Sequence, residues 1–183
     1  MSLPPEYIAA LAELGEAFAA YESNTGRRAV LVGGAAAAIH TQGEFMSADF
    51  DVVAGLDDAF AAAMSTTGFV EDSVVGHGTL GWFHPDYPQF PVEQVSGGYF
   101  DGRGDRERCL KLVVRDGSEI VLPAIEDMIA DRLGQHEVFK QDGSMLAQAK
   151  ALFTIAKDLD VTYLKRRIAE EGGNVGLLGL SED

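Results

Sequence analysis

The chain is short of cysteine, of positive charge and of long apolar runs, and each shortage removes a class of protein. Its single cysteine, Cys109, can close no internal disulfide and build no thiolate-rich metal site, which suits a reducing compartment. The thiol reads as a small apolar residue in the strand-like stretch CLKLVV. Only 14 lysines and arginines stand against 29 acids, a formal net charge of −15. The overall field therefore repels a polyanion, and extended nucleic-acid binding is not expected. The small basic clusters RGDRER and YLKRRIAEE read as solvated faces of a loop and a helix, enough at most to meet one nucleotide or the tip of an RNA. No apolar stretch approaches the roughly 20 residues of a membrane span, and MSLPPEYIAA has neither the basic start nor the apolar centre of a secretion signal. The expectation is a cytoplasmic protein with no membrane partner.

What is present suits a folded domain. A chain of 183 residues, 46% hydrophobic and 23% charged, can bury about 70% of its unfolded surface without staples. Ile8, Leu11, Ala12 and Phe18 at helical spacing after a proline pair predict a helix over residues 4–22. RAVLV reads as a short buried strand, the alanine-rich AAAAIHTQ as a helix, DFDVVA as a second strand, and LDDAFAAAMSTTG as a helix with Asp57 or Asp58 near its start. From Phe69 to Val121 the pattern breaks into short strand-like pieces, GFVEDSVV, TLGWFH, FPVEQV, CLKLVVRDG and EIVL. Three helices follow: PAIEDMIADRLGQ, opened by Pro123, then SMLAQAKALFTIAKDL, then DVTYLKRRIAEE, stopped by Gly172-Gly173. The tail NVGLLGLSED is apolar enough to dock but too glycine-rich to assign. The fold class expected is α+β: a small mixed sheet flanked by helices over residues 1–122, and a helical lobe over 123–183 that is either separate or continuous with it.

Two features in VLVGGAAAAIHTQGEFMSADFDVVAG, residues 30–55, carry chemistry. Gly33 and Gly34 end the first strand, and a strand that ends in Gly-Gly and feeds a helix offers backbone N–H groups and a positive dipole end to an anion, most naturally phosphate. On the next strand Asp49 and Asp51 alternate with Phe50 and Val52, so both carboxylates project from one face while the apolar pair turns inward. Alone, such a pair reads as an exposed strand of alternating polarity. Beside a phosphate cradle it suits a metal-bound nucleotide, since Mg²⁺ sits between one or two carboxylates and substrate phosphates.

This order of residues resembles the nucleotidyltransferase superfamily typified by polymerase β: Gly33-Gly34, a helix, then Asp49-Phe50-Asp51-Val52 after 14 intervening residues, with Ser47 two before the first aspartate. The resemblance implies a third carboxylate from a later strand. Glu93 in FPVEQVSGG matches best, and Asp86 and Asp101 are weaker matches among turn-forming residues. The helical end, with Asp142 and Lys150, is similar to that of stand-alone bacterial nucleotidyltransferases, including relatives of abortive-infection toxins. Many relatives carry arginine where this chain has Phe45, and lysine where it has Arg132. The implied activity is transfer of a nucleoside monophosphate from an NTP to a hydroxyl on a small molecule, protein or RNA. Asp49, Asp51 and Glu93 would hold two Mg²⁺ ions, while Gly33, Gly34 and Ser47 would bind the nucleotide. The alternative of another class is a non-catalytic module of the same fold, binding nucleotide or acting in a toxin–antitoxin complex.

Other signals are weaker. GHGTLG, residues 76–81, matches a dinucleotide-binding glycine pattern but runs into GWFHPDYP rather than a helix, and VLVGGAAAAI lacks the third glycine. His40, His77, His84 and His136 show no ligand spacing, so His40 reads as a capping or surface residue. Trp82, Phe83, Tyr87, Phe90, Tyr99 and Phe100 read as core, with one ring able to stack on a nucleobase.

Overall fold

A computed structural model describes residues 3–55, 58–72, 80–96, 98–115 and 117–181. Asp57, His77 and the middle of the stretch from GFVEDSVV through GHGTLG, residues 73–79, lie outside the described residues. The first helix, α1 (Pro5–Thr25), starts on a proline and ends at Gly26, whose left-handed backbone (φ 68°) lets its N–H reach the Glu22 carbonyl at 2.8 Å. A two-residue strand β1 (Val30–Leu31) leads into α2 (Gly33–His40), and β2 (Phe50–Val53) returns antiparallel to β1. Helix α3 (Asp58–Thr66) and the strands β3 (Val70–Asp72) and β4 (Leu80–Phe83) then precede β5 (Val92–Ser96), which pairs parallel to β2. The five strands stand in the order β1-β2-β5-β4-β3, every other pairing being antiparallel.

A separate hairpin, β6 (Leu110–Arg115) and β7 (Ser118–Leu122), packs on α1. Helices α4 (Ile125–Val138), α5 (Ser144–Ile155) and α6 (Val161–Glu170) close the chain, with Asp160 capping α6 through a bond from the Tyr163 N–H. The fold is thus α+β with a mixed sheet, as the sequence implied.

One buried cluster runs through Leu11 and Leu14 of α1, Phe50 and Val52 of β2, Met128 and Leu133 of α4, and Leu164 and Ile168 of α6. The core is therefore continuous across residue 122. Tyr7 packs edge-on against Phe50 and Phe90, with centroids 5.1 and 5.2 Å apart, and Phe60 does the same to Tyr21 and Trp82. Such pairs add about 0.5–1.5 kcal/mol each beyond their buried area. The tail docks through a short 3₁₀ turn, Val175–Leu178, against this cluster.

Several local expectations shift. Helix α2 begins at Gly33 itself rather than after a glycine turn. Asp49 lies in the bend ahead of β2, because Phe50 N–H is the first donor to the parallel neighbour, bonding the Pro91 carbonyl at 2.8 Å. Helix α5 stops at Ile155 rather than near residue 159, and Asp158 just beyond takes a left-handed φ of 55°. Cys109 precedes β6 and is half-buried, while Leu110, Leu112 and Val113 of that edge strand are exposed.

Candidate functional site

The site is built on contact between two glycines and two side chains of the segment that follows. Gly33 opens α2 with φ 64°, a backbone shape that favours glycine. A Cβ on Gly33 would collide with the Asp51 carboxylate, and one on Gly34 would come within 2.5 Å of Ser47 Oγ. The carboxylate and the hydroxyl therefore occupy the space that side chains would take. Val32 N–H donates to the Asp51 carbonyl at 2.8 Å, and Ser47 Oγ donates to Asp49 Oδ1 at 2.6 Å, so both aspartates are tied locally. The parallel register of β2 and β5 places Glu93 directly beside Asp51. No side chain caps α2, which leaves its first-turn N–H groups without a side-chain acceptor.

The electrostatics follow from this crowding. Burial, then the charges of Asp49 and Glu93, push the Asp51 carboxyl up to about 6, with Arg132 opposing them. Among the described residues no three His, Cys, Asp or Glu side chains form a ready-made metal cage. The donor set is nevertheless all carboxylate, which suits a hard ion that fills the rest of its shell with ligand oxygens and water.

A cavity of about 310 Å³ opens onto this group, lined by Gly33 and Asp51 on one side and by Phe100, Asp101, Arg132 and Glu171 elsewhere. Of the expected site residues, Gly33 and Asp51 reach its wall, while Gly34, Ser47, Asp49 and Glu93 do not line it. Of the two weaker acidic matches, Asp101 lines it, whereas Asp86 is exposed beside His84. A larger cavity of about 500 Å³ opens at the opposite end of β1 and β2, by Val30 and Gly55, and none of the expected site residues lines it. Size therefore does not mark the site; the presence of Gly33 and Asp51 in its wall does.

Arg132 is the member that motif reading weighed least. Its side chain is only 4% exposed. One nitrogen, Nη1, donates to Gln135 Oε1 at 3.3 Å and lies 3.2 Å from Met145 Sδ. Nη2 is 3.3 Å from the Asp131 carboxylate but outside hydrogen-bonding geometry, so Nε and Nη2 both lack a hydrogen-bond partner among the described residues. Asp131 is itself pushed up, chiefly by burial. The sequence did carry a signal: Arg132 lies one turn after Met128 and beside Leu133, on the apolar stripe of α4, where arginine has no packing reason to stand. His40 and His84 do not line this cavity. His40 Nε2 meets the Pro123 carbonyl at 3.1 Å from the end of α2, half-buried rather than on the surface, and His84 packs on Phe69 and Tyr87.

Compared with solved structures, the chain matches the crystal structure of an antigenic nucleotidyltransferase-like protein from Paracoccidioides brasiliensis, with a TM-score of 0.58 over 88% of this chain and 87% of that one. The fold is nucleotidyltransferase-like. Residues 1–122 alone could not supply that coverage of 183 residues, so the likeness extends from the sheet into the C-terminal helices. At 15% identity the likeness is one of fold. No protein-family model and no curated protein matches the sequence. Within the nucleotidyltransferase-like fold, the segment 33–51 supplies the glycine wall and the carboxylates, and α4 supplies the buried arginine. No helix among the described residues is long and apolar enough to cross a membrane.

Proposed function

We propose that the chain is a metal-dependent nucleotidyltransferase that moves a nucleoside monophosphate from an NTP to a hydroxyl acceptor. The observation that carries this reading is that one cavity holds an acid crowded by other acids and a buried arginine with two nitrogens that make no hydrogen bond among the described residues. Asp51, crowded by Asp49 and Glu93, calls for a cation, and the buried Arg132 calls for an anion. A ligand of one sign relieves only one of them. A metal-bound triphosphate relieves both.

Asp51, Asp49 and Glu93 would hold Mg²⁺, up to two ions. Bound there, Mg²⁺ would supply charge neutralisation at the phosphates and acidification of the acceptor hydroxyl. The remaining work falls to the chain. Gly33 and Gly34, at positions where a side chain would collide with Asp51 and Ser47, would turn the first N–H groups of α2 toward the β- and γ-phosphates. Ser47 fixes the Asp49 carboxylate through its short hydrogen bond. Glu93 takes the proton of the acceptor hydroxyl. The hydroxyl oxygen then forms its bond to the α-phosphorus while the bond to the α–β bridging oxygen breaks. The electron pair leaves with pyrophosphate, whose charge Arg132 meets.

The test is thermal melting with each NTP, with and without Mg²⁺, on the wild type and on the Asp49→Asn/Asp51→Asn double variant. The expected result is a joint shift with Mg²⁺ and NTP that the double variant loses. Transfer of α-labelled nucleotide to hydroxyl compounds then reads the reaction itself. No shift with any NTP overturns the proposal and leaves the non-catalytic module standing.

A further inference from the structure

We propose that Phe100 is the platform on which the nucleobase stacks, and that the buried pair Asp127–Arg167 is the positioning device that holds it at the cavity; this rests on the nucleotide reading above and deepens it. Among the described residues lining the cavity, Phe100 contributes the one aromatic ring, and Gly33 and Arg132 line the same cavity. A flat apolar face and an anion-binding region in one cavity match a base linked to a phosphate chain.

The turn that presents the ring is an improbable one. Phe100 (φ 45°, ψ 51°) and Asp101 (φ 53°, ψ 30°) are consecutive left-handed residues, and neither is glycine. Such conformations persist only where the surroundings over-determine them, and they concentrate at ligand sites. The surroundings here are specific. Tyr99 Oη donates to Asp127 Oδ2 at 3.0 Å, while Tyr163 Oη and Arg167 Nε donate to Oδ1 at 2.9 and 2.6 Å. Asp127 and Arg167 are fully buried. The other two guanidinium nitrogens bond Glu170 at 2.7 Å and Glu171 at 2.6 Å. The Arg167 guanidinium carbon also lies 5.6 Å from the Phe100 ring centre, and the Tyr99 ring lies 4.8 Å away. Arg103 bonds Asp101 at 2.7 Å and reaches Glu171 at 3.4 Å.

Two of these contacts tie the turn to the helices, Tyr99 to Asp127 of α4 and the Phe100 ring to Arg167 of α6, while the others lock α4 to α6 or brace Asp101; Glu171 and Asp101 themselves line the cavity. A ring meant only for the core would need neither the strained turn nor a buried ion pair beneath it. Both make sense if the ring must face a ligand at a fixed height.

Titration calorimetry with ATP, GTP, CTP and UTP, and with inorganic triphosphate, all with Mg²⁺, separates base from phosphate. In Phe100→Ala, NTP binding should weaken roughly ten- to a hundredfold while inorganic triphosphate binding stays unchanged, and Phe100→Trp should restore the NTP affinity. Tyr99→Phe, which keeps the ring but drops its bond to Asp127, should weaken NTP binding selectively and by less. Equal losses for NTP and triphosphate, or no NTP loss in Phe100→Ala, overturn the inference while leaving the proposed function in place. If the wild type binds neither ligand, both fall together.

Discussion

Asp51→Asn should make the free protein more stable at neutral pH while removing its response to metal and nucleotide. The Asp51 carboxyl is raised from the usual 3.8 to about 6, first by burial and then by Asp49 and Glu93. A shift of about two units corresponds to roughly 3 kcal/mol, and because the group is half-buried, about 2–3 kcal/mol is the reasonable range. The folded value exceeds the unfolded one, so the folded state binds the proton more tightly. The stabilisation from Asp51 is then complete below about pH 4 and is lost as pH rises through about 6. Asparagine never ionises and keeps what the aspartate loses. For a chain of this length the gain amounts to a melting temperature about 4–12 °C above wild type at pH 8, with the gap closing near pH 4. Circular-dichroism melts of both proteins in EDTA across pH 4–8 read this directly. A gap absent at pH 8, or equal at pH 4 and pH 8, refutes the reasoning.

Gly33→Ala places a Cβ on the Asp51 carboxylate at a left-handed φ, so melting should report a loss of about 1–3 kcal/mol together with loss of NTP binding. Arg132→Met removes a buried cation whose Nε and Nη2 make no hydrogen bond but also takes the ion-pair partner of Asp131 at 3.3 Å; the free protein should lose about 1–3 kcal/mol, while calorimetry finds inorganic triphosphate bound at least tenfold more weakly. Asp127→Ala takes away the buried acceptor of Arg167 Nε, Tyr99 Oη and Tyr163 Oη, and chemical unfolding should show about 3–5 kcal/mol lost. The pairing Asp127→Leu with Arg167→Met should lose less than the sum of its single changes. Without metal, inorganic triphosphate should bind Asp51→Asn more tightly than wild type, because a repelling carboxylate is gone, and this order should reverse with Mg²⁺.

The segment from Gly33 to Asp51 was legible because its signals are local. Glycine at a left-handed turn, a hydroxyl two residues before an aspartate and alternation of charged with apolar residues need no knowledge of partners far along the chain. The parallel pairing that sets Glu93 beside Asp51 was accessible only through resemblance, since register across about 40 residues leaves no periodic trace. Asp127 was overlooked, and Arg132 was noticed only as a departure from a resemblance, for a different reason. Each stands on a helix face that apolar periodicity marks as buried, and a scan for that periodicity discounts a charged residue as noise. Charge on an apolar stripe is better read as a demand for a partner. For Asp127 the partner is Arg167, in the chain. For Arg132 no hydrogen-bonding partner of Nε or Nη2 lies among the described residues.

That contrast between two buried charges on one helix separates scaffold from site. Asp127 accepts three hydrogen bonds from Tyr99, Tyr163 and Arg167, so adding a ligand could only weaken what it has. Arg132, on the same cavity as Gly33, retains donors with no hydrogen-bond acceptor among the described residues, and an anion could only improve its position. The same test applied to the acids gives the same division. Glu171 meets Arg167 and Arg103, whereas Asp51 meets other carboxylates before it meets Arg132. Residues whose charges are matched within the chain hold the walls of the cavity. Asp51, crowded by Asp49 and Glu93, and Arg132, whose Nε and Nη2 make no hydrogen bond beside Asp131, are the two whose demands the described residues leave open, and the proposed metal-bound triphosphate would answer both.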